Sequence, residues 1–187
     1  MIWMLVLVAC GVLAMLSIGA YTLRTGISPM PTTPRVRRVL LNALPARLEG
    51  AVYELGAGWG TLAFPLARRY PGCPVLAYEL SPLPWLWCRL RQALARAPNL
   101  ALRRKDFHRA HLGDAALVVC YLYPEGMERL RPKLEAELPI GALVVSNTFA
   151  VPGWSPVAVH RVGDLWGSRI YVYQATRRRS QPAPEAG

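Results

Sequence analysis

Tyr53-Glu54-Leu55-Gly56-Ala57-Gly58-Trp59-Gly60 decides how this chain is read. It closes an apolar run, Ala51 to Leu55, and opens an apparent helix. A second apolar run, Val75 onward, ends in Glu79. Strand, glycine turn, helix, strand, acid is the order in which an open α/β sheet holds a nucleotide-like ligand. Glycines let the chain turn tightly and approach a ligand closely, because no Cβ intervenes. An acid fixed at the end of the second strand can accept two ribose hydroxyls.

The spacing narrows the ligand. Gly56, Gly58 and Gly60 are spaced GxGxG, whereas a dinucleotide fingerprint needs GxGxxG and a phosphate loop needs GxxxxGK[ST]. The turn suits a ligand without a pyrophosphate, whose amino-acid and ribose parts lie across the loop, and S-adenosylmethionine is such a ligand. Glu54 would order the turn or face the ligand's ammonium, and Glu79 would take the ribose. After the third strand, Asp106 would accept the adenine amino group while Phe107 covers the ring. Gly60 and Leu80 complete the expected cofactor set. Each acid has a plainer reading: a solvated strand end for Glu54, a favourable charge before a helix for Glu79, an ordinary turn for Asp106.

Working outward, Gly60–Tyr70 reads as a crossover helix with Pro65 forcing a kink or a late start. Ser81 can cap the next helix, in which Leu83, Leu86, Trp87, Leu90 and Leu94 mark one apolar face. Short strands follow at 101–104, at 115–120, a continuous apolar run suited to a buried central strand, and at 142–146. Met127, Leu130, Leu134 and Leu138 recur at helical spacing around Pro132. The runs 157–162 and 169–174, split by Gly163-Asp164 and Gly167, form a hairpin. The expected fold is α/β: a Rossmann-like class I methyltransferase sheet of five parallel strands plus a C-terminal antiparallel hairpin, preceded by one N-terminal transmembrane helix. The hairpin finish, in place of a further crossover, selects the methyltransferase variant. At the end of strand four, Tyr121 and Tyr123 are the candidates for positioning a substrate amine; packing is their other reading. His108 and His111 lie on a connector.

Of the 187 residues, 22 are basic and 11 acidic, a net +11. Lys105 and Lys133 are the two lysines, so the charge is nearly all arginine. Such a balance asks for an anionic neighbour. The near absence of lysine and of an aromatic–basic platform argues against nucleic acid. Cys10, Cys73, Cys88 and Cys120 are widely spaced, and three histidines make no HExxH pattern, so no metal site is expected.

Met1 to Leu23 carries no charge. As a helix it would reach roughly 34 Å, against about 30 Å of hydrocarbon. A cleaved signal would show a basic start and a shorter apolar core. The reading is an uncleaved single-pass anchor over 1–23, followed by linker and N-terminal helix (24–50), a methyltransferase domain (51–175) and a disordered basic, Pro-rich tail (176–187). Arg24, Arg35, Arg37, Arg38 and Arg47 follow the span, which puts the N-terminus outside and the catalytic domain on the cytoplasmic side; the compact, Arg-rich character of the chain suggests a bacterial inner membrane. Thr33 can cap the helix that starts at Pro34.

The order span, Met30-Pro31-Thr32-Thr33-Pro34, glycine loop, Tyr78-Glu79-Leu80-Ser81-Pro82, Arg104-Lys105-Asp106-Phe107 and Glu137-Leu138-Pro139-Ile140-Gly141-Ala142 resembles small membrane-anchored class I methyltransferases. That group includes the mitochondrial lysine methyltransferases of the ATP synthase c subunit and of the adenine nucleotide translocase. The resemblance runs from the span to about Tyr173. It implies cofactor contacts from Thr32 or Thr33, Gly56, Gly58, Glu79 and Asp106, and methylation of a lysine in a membrane protein. Trp59 and Ser81 depart from the relatives, which usually carry Asp and Asn or Asp there. Two other activities stay open: methylation of a lipid headgroup amine, and a non-catalytic tethered module that binds cofactor or partners.

Overall fold

The computed structural model describes residues 1–25 and 30–176, with the side chains at 10, 13, 14, 17, 18 and 22–25 outside the description. The linker at 26–29 and the expected tail from 177 onward lie outside the described residues.

The first strand, β1 (Ala51–Leu55), is buried along its whole length. It pairs in parallel with β2 (Val75–Tyr78) on one side and β4 (Ala115–Cys120) on the other. β3 (Leu100–Arg103) extends the sheet beyond β2, and β5 (Leu143–Asn147) lies beyond β4. The hairpin is β6 (Ala158–Arg161) and β7 (Arg169–Gln174). β7 inserts antiparallel between β5 and β6, so the order is β3-β2-β1-β4-β5-β7-β6. Among the described residues the sheet counts seven strands, two more than the five parallel ones, because both hairpin strands join it.

Residues alternate between the faces, as period-two strands require. On one face Val52, Leu117, Val119 and Val145 pack with α2 (Pro34–Ala43) and α3 (Ala63–Arg69). On the other, Tyr53, Val118 and Val144 pack with Met127, Leu130 and Leu134 of α5 (Pro124–Glu137). Two covered faces explain why the central strands read as continuous apolar runs.

The helices show which local signals decide. α3 starts late, at Ala63, which leaves Pro65 in the first turn, where no intrahelical N–H is needed. Thr33 caps α2: its hydroxyl accepts from Val36 N–H at 3.3 Å, with Pro34 in the first turn. Pro132 sits inside α5 without ending it. In α4 (Pro82–Leu94) the buried residues are Pro84 and Cys88, while the apolar face marked by the sequence turns outward. Leu86, Trp87, Leu90 and Leu94 are 48, 53, 60 and 91 % exposed.

α1 (Ile2–Thr25) is a 24-residue helix that packs against α4. Among the described residues, no helix is long and apolar enough to cross a membrane. The expected transmembrane helix is therefore not found among the described residues, although α1 is helical from Ile2 to Thr25. Of its described side chains, Trp3, Leu7, Met15 and Leu16 are exposed and Tyr21 is half-buried.

Candidate active site

A cavity of about 620 Å³ opens at the carboxyl ends of β1, β2 and β4, the edge at which parallel α/β sheets bind ligands. Its floor is the turn after β1. Gly56 and Ala57 N–H both donate to Tyr78 O, at 3.0 and 2.8 Å, which ties the turn to β2. Gly58 has a φ of +53°, in the left-handed region that favours glycine.

Glu79 holds that turn in place. Its Oε2 accepts from Gly58 N–H and its Oε1 from Ser81 N–H, both at 2.7 Å, in a group only 8 % exposed. Each carboxylate oxygen keeps a lone pair, so two further hydroxyls can still be accepted. Glu54 is buried beside it, with Oε2 lacking any hydrogen-bond partner. Burial, and then the Glu79 charge, push the Glu54 carboxyl well above the usual carboxylate range. A buried, unpartnered acid facing a cavity is the acceptor a cationic ligand group would satisfy.

The walls come from several elements. Thr32, buried ahead of α2, lines the cavity, and its N–H donates to Thr61 Oγ at 3.2 Å. Asp106 and Phe107 form another wall. Asp106 Oδ1 accepts from His108 N–H at 2.9 Å, which opens the short 3₁₀ turn that places Phe107. The far side of that connector is pinned to α5. Glu137 accepts from Leu112 N–H at 3.0 Å and from Lys133 at 2.6 Å, and Lys133 also donates to Ala110 O. Glu137 and Lys133 thus brace the connector that carries Asp106 and Phe107 from behind.

Of the residues marked by the sequence, Thr32, Glu54, Gly56, Gly58, Glu79, Leu80, Asp106, Phe107 and Tyr121 come together around this cavity. Three do not line it. Thr33 is engaged in capping α2. Gly60 backs onto the core: a Cβ there would stand 2.8 Å from Cys88 Sγ and 2.9 Å from the Phe64 ring. Tyr123, 37 % exposed, stacks obliquely on Phe149 with ring centroids 5.4 Å apart. The sequence reading missed Thr61 and Tyr78, both lining residues, and Phe149, which also faces the Tyr121 ring at 6.3 Å. Thr61 carried a signal, a hydroxyl one residue past the glycine turn; Phe149 carried none.

The cavity offers few proton acceptors. Burial pushes the Cys120 thiol up to about 12, so it is not a thiolate near neutral pH. Burial also raises the Tyr121 phenol, leaving it a neutral hydroxyl that can orient a substrate group but does not carry charge. His108 lines the cavity and is held below the usual imidazole range by burial. His111 is exposed, 3.7 Å from Glu137.

The model of the ANTKMT methyltransferase domain matches residues 54–158, which takes in the glycine turn, both acids, Asp106-Phe107 and the strand-four tyrosines. The chain belongs to this family. It is 34 % identical over 174 residues to the adenine nucleotide translocase lysine N-methyltransferase of Mus musculus, covering 86 % of this chain and 72 % of that protein. It is 29 % identical over 151 residues to a protein-lysine N-methyltransferase of Saccharolobus islandicus (strain REY15A), covering 77 % of this chain and 91 % of that one. The solved structure of an RNA methyltransferase from Salinibacter ruber with S-adenosyl-L-homocysteine superposes with a TM-score of 0.71 at 26 % identity. It covers 84 % of this chain and 100 % of that chain.

This member of the ANTKMT family is a methyltransferase that uses S-adenosylmethionine. Its residues fit that cofactor on their own terms: an orphaned buried carboxylate oxygen, an acid with lone pairs to spare at a strand end, and a glycine floor. Glu54, Glu79 and Asp106 with Phe107 would hold its ammonium, ribose and adenine.

Proposed function

We propose that this chain is a membrane-tethered methyltransferase that methylates the side-chain amine of a lysine in a membrane protein. One observation carries the reading. Met30 and Thr32, only five and seven residues past the end of α1 at Thr25, line the cavity. Whatever holds α1 therefore also holds the site. α1 suits a bilayer: Met1 to Leu23 is uncharged, and its described apolar side chains are left exposed by the protein. The two relatives named above are both lysine N-methyltransferases, which supports lysine as the acceptor.

The cofactor supplies an electrophilic methyl group on a sulfonium. The chain's own part is placement. In-line displacement needs a neutral amine held close and oriented more than it needs a strong base. The hydroxyl of Tyr121, kept neutral by burial, can hold the amine. The Tyr121 ring, backed from outside the cavity by Phe149 at 6.3 Å, offers an aromatic face that favours the positive charge developing on nitrogen. By the arginines that follow the span, α1 enters with its N-terminus outside and the domain faces the cytoplasm.

The test is methyl transfer from tritiated S-adenosylmethionine to isolated membranes, with the products divided into protein and lipid. Label in a protein band that resolves to methyllysine supports the proposal. Label confined to the lipid extract overturns it in favour of a headgroup amine, which the arginine-rich α2 would also suit.

A further inference from the structure

α4 is apolar on two opposite sides. At 3.6 residues per turn, Pro84 and Cys88 share the side that faces the core. Leu83, Leu86, Trp87, Leu90 and Leu94 recur at three- and four-residue spacing on the other side. α1 rests on α4 and still leaves that outer side open, Leu94 almost fully. A one-domain protein rarely exposes such a contiguous stripe without a partner.

The surrounding charge identifies the partner. From Leu80 to Lys105 there is no acidic residue, while six are basic. Arg91 turns inward over the Phe64 ring at 4.3 Å. Arg89 on α4 and Arg96, two residues past its end, are exposed. Leucines and a tryptophan with arginines at their edge, and no acid, are the composition of a helix lying in an anionic bilayer surface. A protein partner selected by apolar contact alone would not need the uniform charge.

We propose that the outer side of α4 is a bilayer-contact surface, lying in the headgroup region of an anionic membrane. This deepens the tethered reading above. α4 begins at Pro82, three residues after Glu79, so a docked α4 sets the height and tilt of the cofactor cavity over the membrane. A substrate lysine is then sampled at one fixed depth rather than anywhere within reach of the linker.

The test uses the full-length chain with Cys10→Ser, since Cys73, Cys88 and Cys120 are buried. An environment-sensitive fluorophore is placed at Leu94→Cys or, as control, at Glu128→Cys on α5, across the sheet. Vesicles are phosphatidylcholine with or without phosphatidylglycerol, and flotation is read in parallel. The expected result is a blue shift at 94 on the anionic vesicles and none at 128. Arg89→Gln with Arg96→Gln should lower occupancy of the docked state roughly 30-fold, at about fivefold per arginine, while flotation is kept. A water-like signal at 94 on floated protein overturns the proposal. So does a blue shift that grows with protein concentration in the absence of lipid, which would assign the stripe to a second copy. Flotation separates the two readings: a shift at 94 without stable flotation keeps α4 and removes α1 as anchor, and neither signal removes both.

Discussion

Replacing Glu79 with glutamine should destabilise the protein before any cofactor is added. Glu79 is 8 % exposed and satisfies two backbone donors, Gly58 N–H through Oε2 and Ser81 N–H through Oε1, each at 2.7 Å. A glutamine has one carbonyl oxygen, and its amide NH₂ must then face the other donor. One buried N–H loses its acceptor, which costs about 1–3 kcal/mol, and the surviving bond loses its charge assistance. Removing the charge next to Glu54 offsets part of this, because Glu79 is one of the two causes raising that group. The net expectation is a loss of roughly 1–3 kcal/mol in the cofactor-free protein. At about 2–4 °C per kcal/mol for a chain of this size, the midpoint should fall by roughly 2–12 °C. Urea unfolding gives the free energy directly, with an unchanged m-value showing that the native fold is kept. An unaltered cofactor-free stability would refute the reasoning: Glu79 would then matter only to the ligand, and the glycine turn would be held by something else.

Four further outcomes follow from the same geometry. Glu54 has a raised carboxyl in the folded protein, so the folded state binds more protons than the unfolded one above about pH 4.5. Its contribution to stability is therefore fullest at low pH and is lost as pH rises through the folded-state pKa; Glu54→Gln should flatten that slope in pH-dependent unfolding. Cofactor binding should also release a proton in the same window, seen as a binding enthalpy that varies with buffer ionisation heat in the wild type and not in the variant. Gly60→Ala places a Cβ 2.8 Å from Cys88 Sγ at a φ of +70°, and should cost roughly 2–5 kcal/mol, part of it recovered by Cys88→Ala; a wild-type midpoint would count against the packing described. Thr33→Ala should cost about 1 kcal/mol through the lost α2 cap while leaving cofactor affinity as it was, and a weakened affinity would put Thr33 back in the site.

The site was legible where its chemistry is local in sequence. A glycine-spaced turn and strand-end acids announce themselves, and Glu54, Gly58, Glu79 and Asp106 do meet around one cavity. What escaped was long-range. That Glu79 fastens Gly58, twenty-one residues earlier, depends on β1 and β2 lying side by side. Thr32 and Thr33 are indistinguishable as neighbours in a chain; only the start of α2 sends one hydroxyl to a helix cap and the other residue to the cavity. Gly60 belongs to the turn by spacing but to the core by contact, since Phe64 and Cys88 come from two different helices. The outward stripe of α4 was legible as a stripe and not as a direction. Helical periodicity groups residues on a face without saying whether the sheet lies behind that face or opposite it.

The most direct test of the account is calorimetric titration of S-adenosylmethionine into the full chain in detergent, wild type beside Glu79→Gln, at a temperature where both are folded. The account predicts one saturable site in the wild type and binding weaker by about tenfold or more in the variant, for the loss of one or more ribose acceptors. Equal affinities would contradict the placement of the cofactor at the carboxyl ends of β1 and β2, and no binding by the folded wild type would contradict the catalytic account altogether.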